Sequence, residues 1–246
     1  MLSVDINCDM GEAIGNDELI FPFISSANIA CGYHAGDEST MRKTVDLCMK
    51  YGVAVGAHPS FADKENFGRT EMDLSMQKID QLVTIQINNL IDILHEKGAT
   101  LHHVKPHGAL YNMAARDSLL AATIAKAVKA INPSLILFGL ANSHSVNEAK
   151  KIGLKTASEV FADRTYQDDG SLTSRKLPNA LIEDRDEAIS QVLQMAKNKT
   201  VRSVSGKLVP ITAETICIHG DGAHAAEFAK TIFQKLKLEG IDIKAV

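Results

Sequence analysis

The stretch VKPHGALYN, Val104 to Asn112, ends a short apolar run in Lys105, Pro106, His107 and Gly108. Residues two apart share a face of a strand, so extended chain through Pro106 sets a cation beside an imidazole. Pro106 has no amide proton for a ladder, which marks the end of regular pairing and the opening of a junction. A lysine held there can stabilise an oxyanion or bind a carboxylate while His107 or Asp9 moves protons. The structural alternative is a strand-end lysine paired with an acid. One general acid or base supplies roughly 10²- to 10⁴-fold, so an oxyanion donor or a metal acting as Lewis acid has to add to it.

The same kind of chemistry follows other apolar runs. DINCDMGE carries Asn7, Asp9 and Glu12; GYHAGD carries His34 and Asp37; GAHPSFAD carries His58 and Asp63; EVFADRTY carries Glu159, Asp163 and Arg164; HGDGAH carries His219, Asp221 and His224. Several of these have ordinary explanations. Asp37 precedes a helical pattern and reads as its N-cap. Asp163 with Arg164 reads as a surface pair, and His224 as an exposed residue of a first helical turn. His102 and His103 read as a packed or surface pair, His95 and His144 as residues of solvated helix faces. Four histidines, His34, His58, His107 and His219, share one kind of position on different strands, and packing gives no reason for that recurrence. Asp9, His34 and His58 are suitable ligand types for a divalent metal, although their spacing matches no local motif. Gly11, Gly32, Gly36, Gly108, Gly220 and Gly222 crowd the same junctions, where amide groups can receive an anion. No G-x-x-x-x-G-K-[ST], G-x-S-x-G or H-E-x-x-H occurs, and SGKL at Ser205 to Leu208 lacks the leading glycine and the hydroxyl residue of a nucleotide loop.

The elements that must position these groups are legible as short apolar runs alternating with stretches of helical period, the pattern of a parallel sheet wrapped by helices. The expected strands are Leu2 to Cys8, Ala27 to Cys31, Val53 to Ala57, Leu101 to Lys105, Leu135 to Phe138, Leu154 to Ser158 and Glu214 to Ile218. Between them, Ile79, Leu82, Val83, Leu90 and Leu94 form a helical stripe that Ser75 caps and Gly98 ends. Further stripes follow Asp117, run through Ile189 to Ala196, and close the chain before Gly240. The carboxyl ends of parallel strands are where loops converge, and those ends hold the reactive residues.

The 246 residues, 45% hydrophobic, supply a sizeable core. No linker, repeat or composition shift divides them, so residues 1–246 read as a single domain with a polar excursion at about 159–184. The net charge of -4 without a basic run argues against nucleic acid or an acidic membrane as partner. No segment has the length of a membrane span and the first residues lack a signal pattern, so a cytoplasmic protein is expected. The cysteines, Cys8, Cys31, Cys48 and Cys217, show no C-x-x-C spacing and read as reduced thiols.

Taken together, DINCDMGE, ANIACGYHAGD, GAHPSFAD, FGR, VKPHGALYN, EVFADRTYQDDGSL and IHGDGAHA closely resemble the lactam-utilisation (LamB/YcsF) family, almost from end to end. The resemblance implies an α/β fold, a distorted seven-stranded (β/α) barrel similar to the glycoside hydrolase and deacetylase superfamily. It implies ATP-dependent opening of 5-oxoproline (pyroglutamate) to L-glutamate, as the A subunit of a complex with B and C subunits. ATP with Mg serves the complex, and a divalent metal at the barrel site stays open. The matching motifs assign Asp9, His34, Lys105 and His107 as catalytic, and Asn7, His58, Arg69, Asp163, Arg164 and His219 as substrate-binding. In that scheme Lys105 or Arg69 holds the substrate carboxylate, Asp9 activates water and His107 protonates the departing nitrogen. The competing classes are a stand-alone metal-dependent amidase or N-deacetylase, and a non-catalytic lactam-binding subunit.

Overall fold

Alternation within the first strand sets the plan of the molecule. In SVDINCDM, Val4, Ile6, Cys8 and Met10 are buried with the apolar core, while Asp5, Asn7 and Asp9 point to the other side and bond one another's neighbours. A sheet whose two faces differ this way can close on itself only with the polar set inside, each polar group finding a partner there.

The computed structural model describes residues 2–219 and 225–246. The strands are β1 (Ser3–Met10), β2 (Ser26–Ala30), β3 (Ala54–His58), β4 (His103–Val104), β5 (Ile136–Leu140), β6 (Lys155–Phe161), β7 (Thr200–Arg202), β8 (Leu208–Pro210), β9 (Thr215–Ile218) and β10 (Asp242–Ile243). β1 to β6 pair in sequence and in parallel, and β9 pairs with both β6 and β1, which closes a seven-stranded barrel. These are the seven expected strands. β10 adds to the start of β1 outside the ring, and β7 with β8 forms an antiparallel hairpin. Neither was legible as an apolar run.

The helices are α1 (Asp17–Ile20), α2 (Glu38–Tyr51), α3 (Met76–Glu96), α4 (Gly108–Arg116), α5 (Ser118–Ile131), α6 (His144–Lys151), α7 (Arg185–Leu193) and α8 (Ala225–Leu238). Their starts follow the expected caps: Asp37 accepts from Thr40 N, Ser75 from Lys78 N, and Asp117 from Leu119 N and Leu120 N. On α3 the buried stripe is Ile79, Val83, Ile87, Leu90 and Leu94, packed on the outer face of the barrel.

β4 is shorter than its apolar run because Pro106 removes a donor, yet the chain stays extended beside β3. His102 N donates to Val55 O at 2.8 Å, Lys105 N to Ala57 O at 2.9 Å and His107 N to Pro59 O at 2.9 Å. Gly56 makes this approach feasible: a Cβ there would lie 2.0 Å from His103 Nε2. The excursion after β6 is an ordered wall. Arg164 pairs with Leu181 and Tyr166 with Leu172, while the buried Arg164 guanidinium donates to Ala180 O at 3.2 Å and Thr173 O at 2.6 Å. Gln191 of α7 ties the same turn down by donating to Arg164 O at 2.9 Å.

Candidate functional site

The inward residues of the barrel build the site upward from a hydrogen-bonded floor. Asp5 accepts from Ser25 and Thr215 hydroxyls at 2.5 Å and from Ser26 at 2.8 Å. Burial raises its carboxyl to about 6, against the lowering effect of those hydroxyls. Above it, Asn7 donates to Glu159 Oε1 at 2.9 Å and Thr215 Oγ1 at 2.7 Å, and accepts from Asn28 at 2.8 Å. Asn28 also donates to Asp9 Oδ1 at 2.8 Å, and its own oxygen faces His103 Nε2 at 2.9 Å. Asn7, expected to touch substrate, thus has its amide committed beneath the site.

Lys105 reaches into this layer. Its Nζ lies 2.8 Å from Glu159 Oε1, 2.9 Å from Asp9 Oδ1, 3.1 Å from Asn7 Oδ1 and 3.2 Å from Cys217 Sγ. An ammonium has three protons, so four acceptors leave none over for a substrate carboxylate. Burial works against the charge, but Asp9, Cys217 and Glu159 outweigh it and hold the lysine well above its ordinary range. For Asp9, likewise, burial raises and the fields of His58 and Lys105 lower; the lowering wins, and the carboxylate stays ionised.

Three histidines from three strand ends meet next to Asp9. His58 Nδ1 lies 2.7 Å from Lys105 O; its Nε2 faces Asp9 Oδ2 at 3.3 Å and His107 Nδ1 at 2.9 Å. His107 Nε2 faces Phe67 O at 2.9 Å. His34 Nδ1 lies 2.8 Å from Ser60 Oγ and its Nε2 3.3 Å from Glu12 Oε1. The His34 and His107 rings stack with centroids 3.8 Å apart and planes within 7°. Burial, then His58, pulls His107 down to about 3, and burial with both neighbouring histidines takes His34 lower still. His107 therefore holds no spare proton at neutral pH, and both its nitrogens are engaged. The loop before Arg69 presses on this cluster at Gly68, where a Cβ would lie 2.9 Å from His34 Cβ and 3.0 Å from His107 Cδ2.

The buried side chains Glu12, His34, His58 and His107 present ligand atoms all within 4.8 Å of one another, and this group could hold a metal ion. Glu12 and His107 join the expected His34 and His58 in this group, while Asp9 has its Oδ1 bonded by Lys105 and Asn28 and its Oδ2 3.3 Å from His58 Nε2. Glu12 was visible in DMGE but carried no spacing signal linking it to His34.

Asp9, His58, Lys105 and His107 line a cavity of about 820 Å³. Its walls include Arg69, Tyr111, Phe161, Arg164, Arg175, Lys176 and His219, the excursion supplying Asp169 to Lys176. Asp163 accepts from His219 Nδ1 at 2.8 Å through both oxygens, and Arg175 donates to His219 Nε2 at 2.9 Å. Burial raises the Asp163 carboxyl, but its contacts with His219 and the nearby Arg175 outweigh burial and lower it. Asp163 and His219 thus form a pair whose histidine lines the cavity, and Arg164, also on the cavity wall, commits its guanidinium to Ala180 O and Thr173 O of the excursion. Arg175 lay in the polar run SLTSRKLP, where nothing in the spacing distinguished it. Asp63 serves its own loop, accepting from Asn66 and from Thr70 N. Asp221, His224, Gly220 and Gly222 lie outside the described residues. Cys8, Cys31, Cys48 and Cys217 are buried free thiols.

Among the described residues no helix is long and apolar enough to cross a membrane. A protein from Tolumonas auensis named as the A subunit of 5-oxoprolinase is 53% identical over 251 residues, covering 100% of both chains. The crystal structure of a lactam utilization protein from Thermus thermophilus matches with a TM-score of 0.94 and 42% identity over 100% of both chains. A family 4 carbohydrate esterase from Streptomyces lividans shares the barrel fold, with a TM-score of 0.53 and 14% identity over 100% of this chain and 93% of its own. The LamB/YcsF family model matches residues 4–246. With the barrel and its histidine-lined mouth in place, the chain belongs to the LamB/YcsF family.

Proposed function

We propose that the chain is the A subunit of a multi-subunit 5-oxoprolinase and opens 5-oxo-L-proline to L-glutamate at the cavity over Asp9, with ATP hydrolysis coupled through B and C subunits. The observation that carries this reading is an ionised carboxylate, Asp9, lining the same cavity as Arg69 and Arg175. A lactam acid needs a cation for its carboxylate and a proton acceptor for water. Arg69 and Arg175 are suited to the first, since Lys105 is saturated from within. Asp9, held against Lys105 and Asn28, is suited to the second: it takes a proton from water and hands it to the ring nitrogen as the C–N bond breaks. His58 and His107 fix the geometry around it, and His219, held by Asp163, lines the same cavity. The sequence has no phosphate-cradling loop of the Walker type, so MgATP belongs on a partner subunit, where it activates the lactam oxygen.

The test is glutamate release from 5-oxoproline by the chain alone, with ATP, and with ATP plus the B and C subunits. Release that requires both ATP and partners supports the reading, and Asp9→Ala should lower it about 10²- to 10⁴-fold while leaving the fold intact. A stand-alone metal-dependent amidase is the second reading, favoured by the buried Glu12, His34, His58 and His107 group. Release by the isolated chain without ATP would select it.

A further inference from the structure

β5 ends at the cavity, and the turn from Ala141 to Ser143 carries the chain over the rim into α6. The first amides of α6, those of His144, Ser145 and Val146, have no acceptor among the described residues. Ser143 stands at the N-cap with extended backbone (φ -93°, ψ 171°), the conformation of a capping serine, yet its side chain makes no cap bond. The residue is only 8% exposed and lines the cavity, and its Oγ is buried without a hydrogen-bond partner. A buried hydroxyl left unbonded at the positive end of a helix marks a place for a negative group. Asn142 fixes the turn that presents it, with a left-handed backbone (φ 64°) and its Nδ2 donating to Pro210 O at 2.9 Å. The surroundings favour the same charge. Although the chain carries a net charge of -4, six cationic side chains line the cavity against three carboxylates. All three carboxylates are engaged, Asp9 with Lys105 at 2.9 Å, Glu71 with Arg116 at 2.6 Å and Asp169 with Ser171 N at 2.9 Å, so the wall draws anions inward.

We propose that the start of α6 is a binding site for a phosphate-class oxyanion, held by the Ser143 hydroxyl and the amides of His144, Ser145 and Val146. It is separate from Arg69 and Arg175, which serve the lactam carboxylate in the reading above. Three amides and a hydroxyl suit a tetrahedral anion better than a planar carboxylate, which has only two oxygens to share among them. Room is available as well: a cavity of about 820 Å³ has the size that takes a drug-sized ligand, and a small lactam acid leaves most of it unfilled. Only the source of the anion rests on the oxoprolinase reading, in which ATP supplies it as free phosphate or as a phosphoryl group carried on an organic acid. Binding itself is read without turnover, so the two can fail separately.

The experiment titrates the full chain, dialysed free of phosphate, with inorganic phosphate at constant ionic strength and follows the heat. One equivalent should bind saturably. Ser143→Ala should weaken it by about 10-fold or more. Ser143→Asp, whose carboxylate caps the same amides, should abolish binding while Tm stays level or rises, which a merely structural role for the serine does not predict. Arg175→Gln should keep the equivalent. Phosphonoacetate tells the two sources apart, and either result keeps the site: binding tighter than phosphate and weakened by Arg175→Gln means a phosphoryl group on an organic acid, whereas affinity equal to that of phosphate means the free anion. Circular dichroism checks that each variant is folded. Should Ser143→Asp fail to fold, the phosphate-dependent rise in Tm of the parent, reduced in Ser143→Ala, decides the matter. Absence of a saturable equivalent, or parental affinity in both Ser143 variants, would overturn the proposal. A chain that binds phosphate in this way but releases no glutamate with ATP and partners would keep the site and remove the oxoprolinase reading.

Discussion

Asp5 and Lys105 show how single residues in the barrel trade stability for charge. A carboxyl raised to about 6 resists ionisation in the folded state, whereas the unfolded chain ionises it near its ordinary 3.8. Its contribution is full below about pH 4 and is lost as pH rises through about 6, a change of roughly 3 kcal/mol. Urea unfolding of Asp5→Asn across that window should show a flatter profile than the parent; an unchanged slope would remove Asp5 as its source. Lys105→Met strands Asp9 and Glu159 without their shared cation, for an expected loss of about 3 to 5 kcal/mol at pH 7. A loss below about 1 kcal/mol in the same measurement would contradict the saturated ammonium seen here. The sequence pointed to Lys105, His107 and Asp9 by type and position. Pairing of Lys105 with an acid was the structural alternative, but the sequence could not name the partners, because Asn7, Glu159 and Cys217 lie on three other strands.

At the level of elements, apolar runs located all seven barrel strands because burial demands them, and the caps Asp37, Ser75 and Asp117 located helix starts. What escaped was the second face of each strand. The alternation of Asp5, Asn7 and Asp9 with Ile6 and Cys8 was present in DINCD, yet a polar face ordinarily means solvent, and only closure turns it inward. His103, read as half of a packed or surface pair, is packed: it is buried against Phe138, with rings stacked at 4.1 Å, and serves Asn28, a partner no spacing signalled. Gly56→Ala should displace His103 and lower the melting temperature, since the added Cβ meets the imidazole head-on. Full retention of Tm would show that β4 can yield there. The Arg164 guanidinium holds two carbonyls of the excursion, so Arg164→Met should speed amide exchange from Thr173 to Ala180 with little effect on β1 to β3. Uniform acceleration over the whole chain would instead make it part of the global folding unit.

For the whole molecule, the closed ring joins residues 210 positions apart, as in the bond from Thr215 to Asp5. Contacts so distant in sequence form late and reward the chain only after a large loop has closed. Refolding should therefore be slow relative to helical proteins of this length, and amides of β1 and β9 should exchange only through complete unfolding. The interior network has a further consequence for how the protein tolerates change. Asn7, Asn28, Glu159, Lys105, Thr215 and Asp9 share donors and acceptors, so an altered member leaves its neighbours mismatched. The barrel centre then behaves as one inherited unit: a second substitution costs far less than the first, and lineages can cross from one interior to another only by changing several positions together.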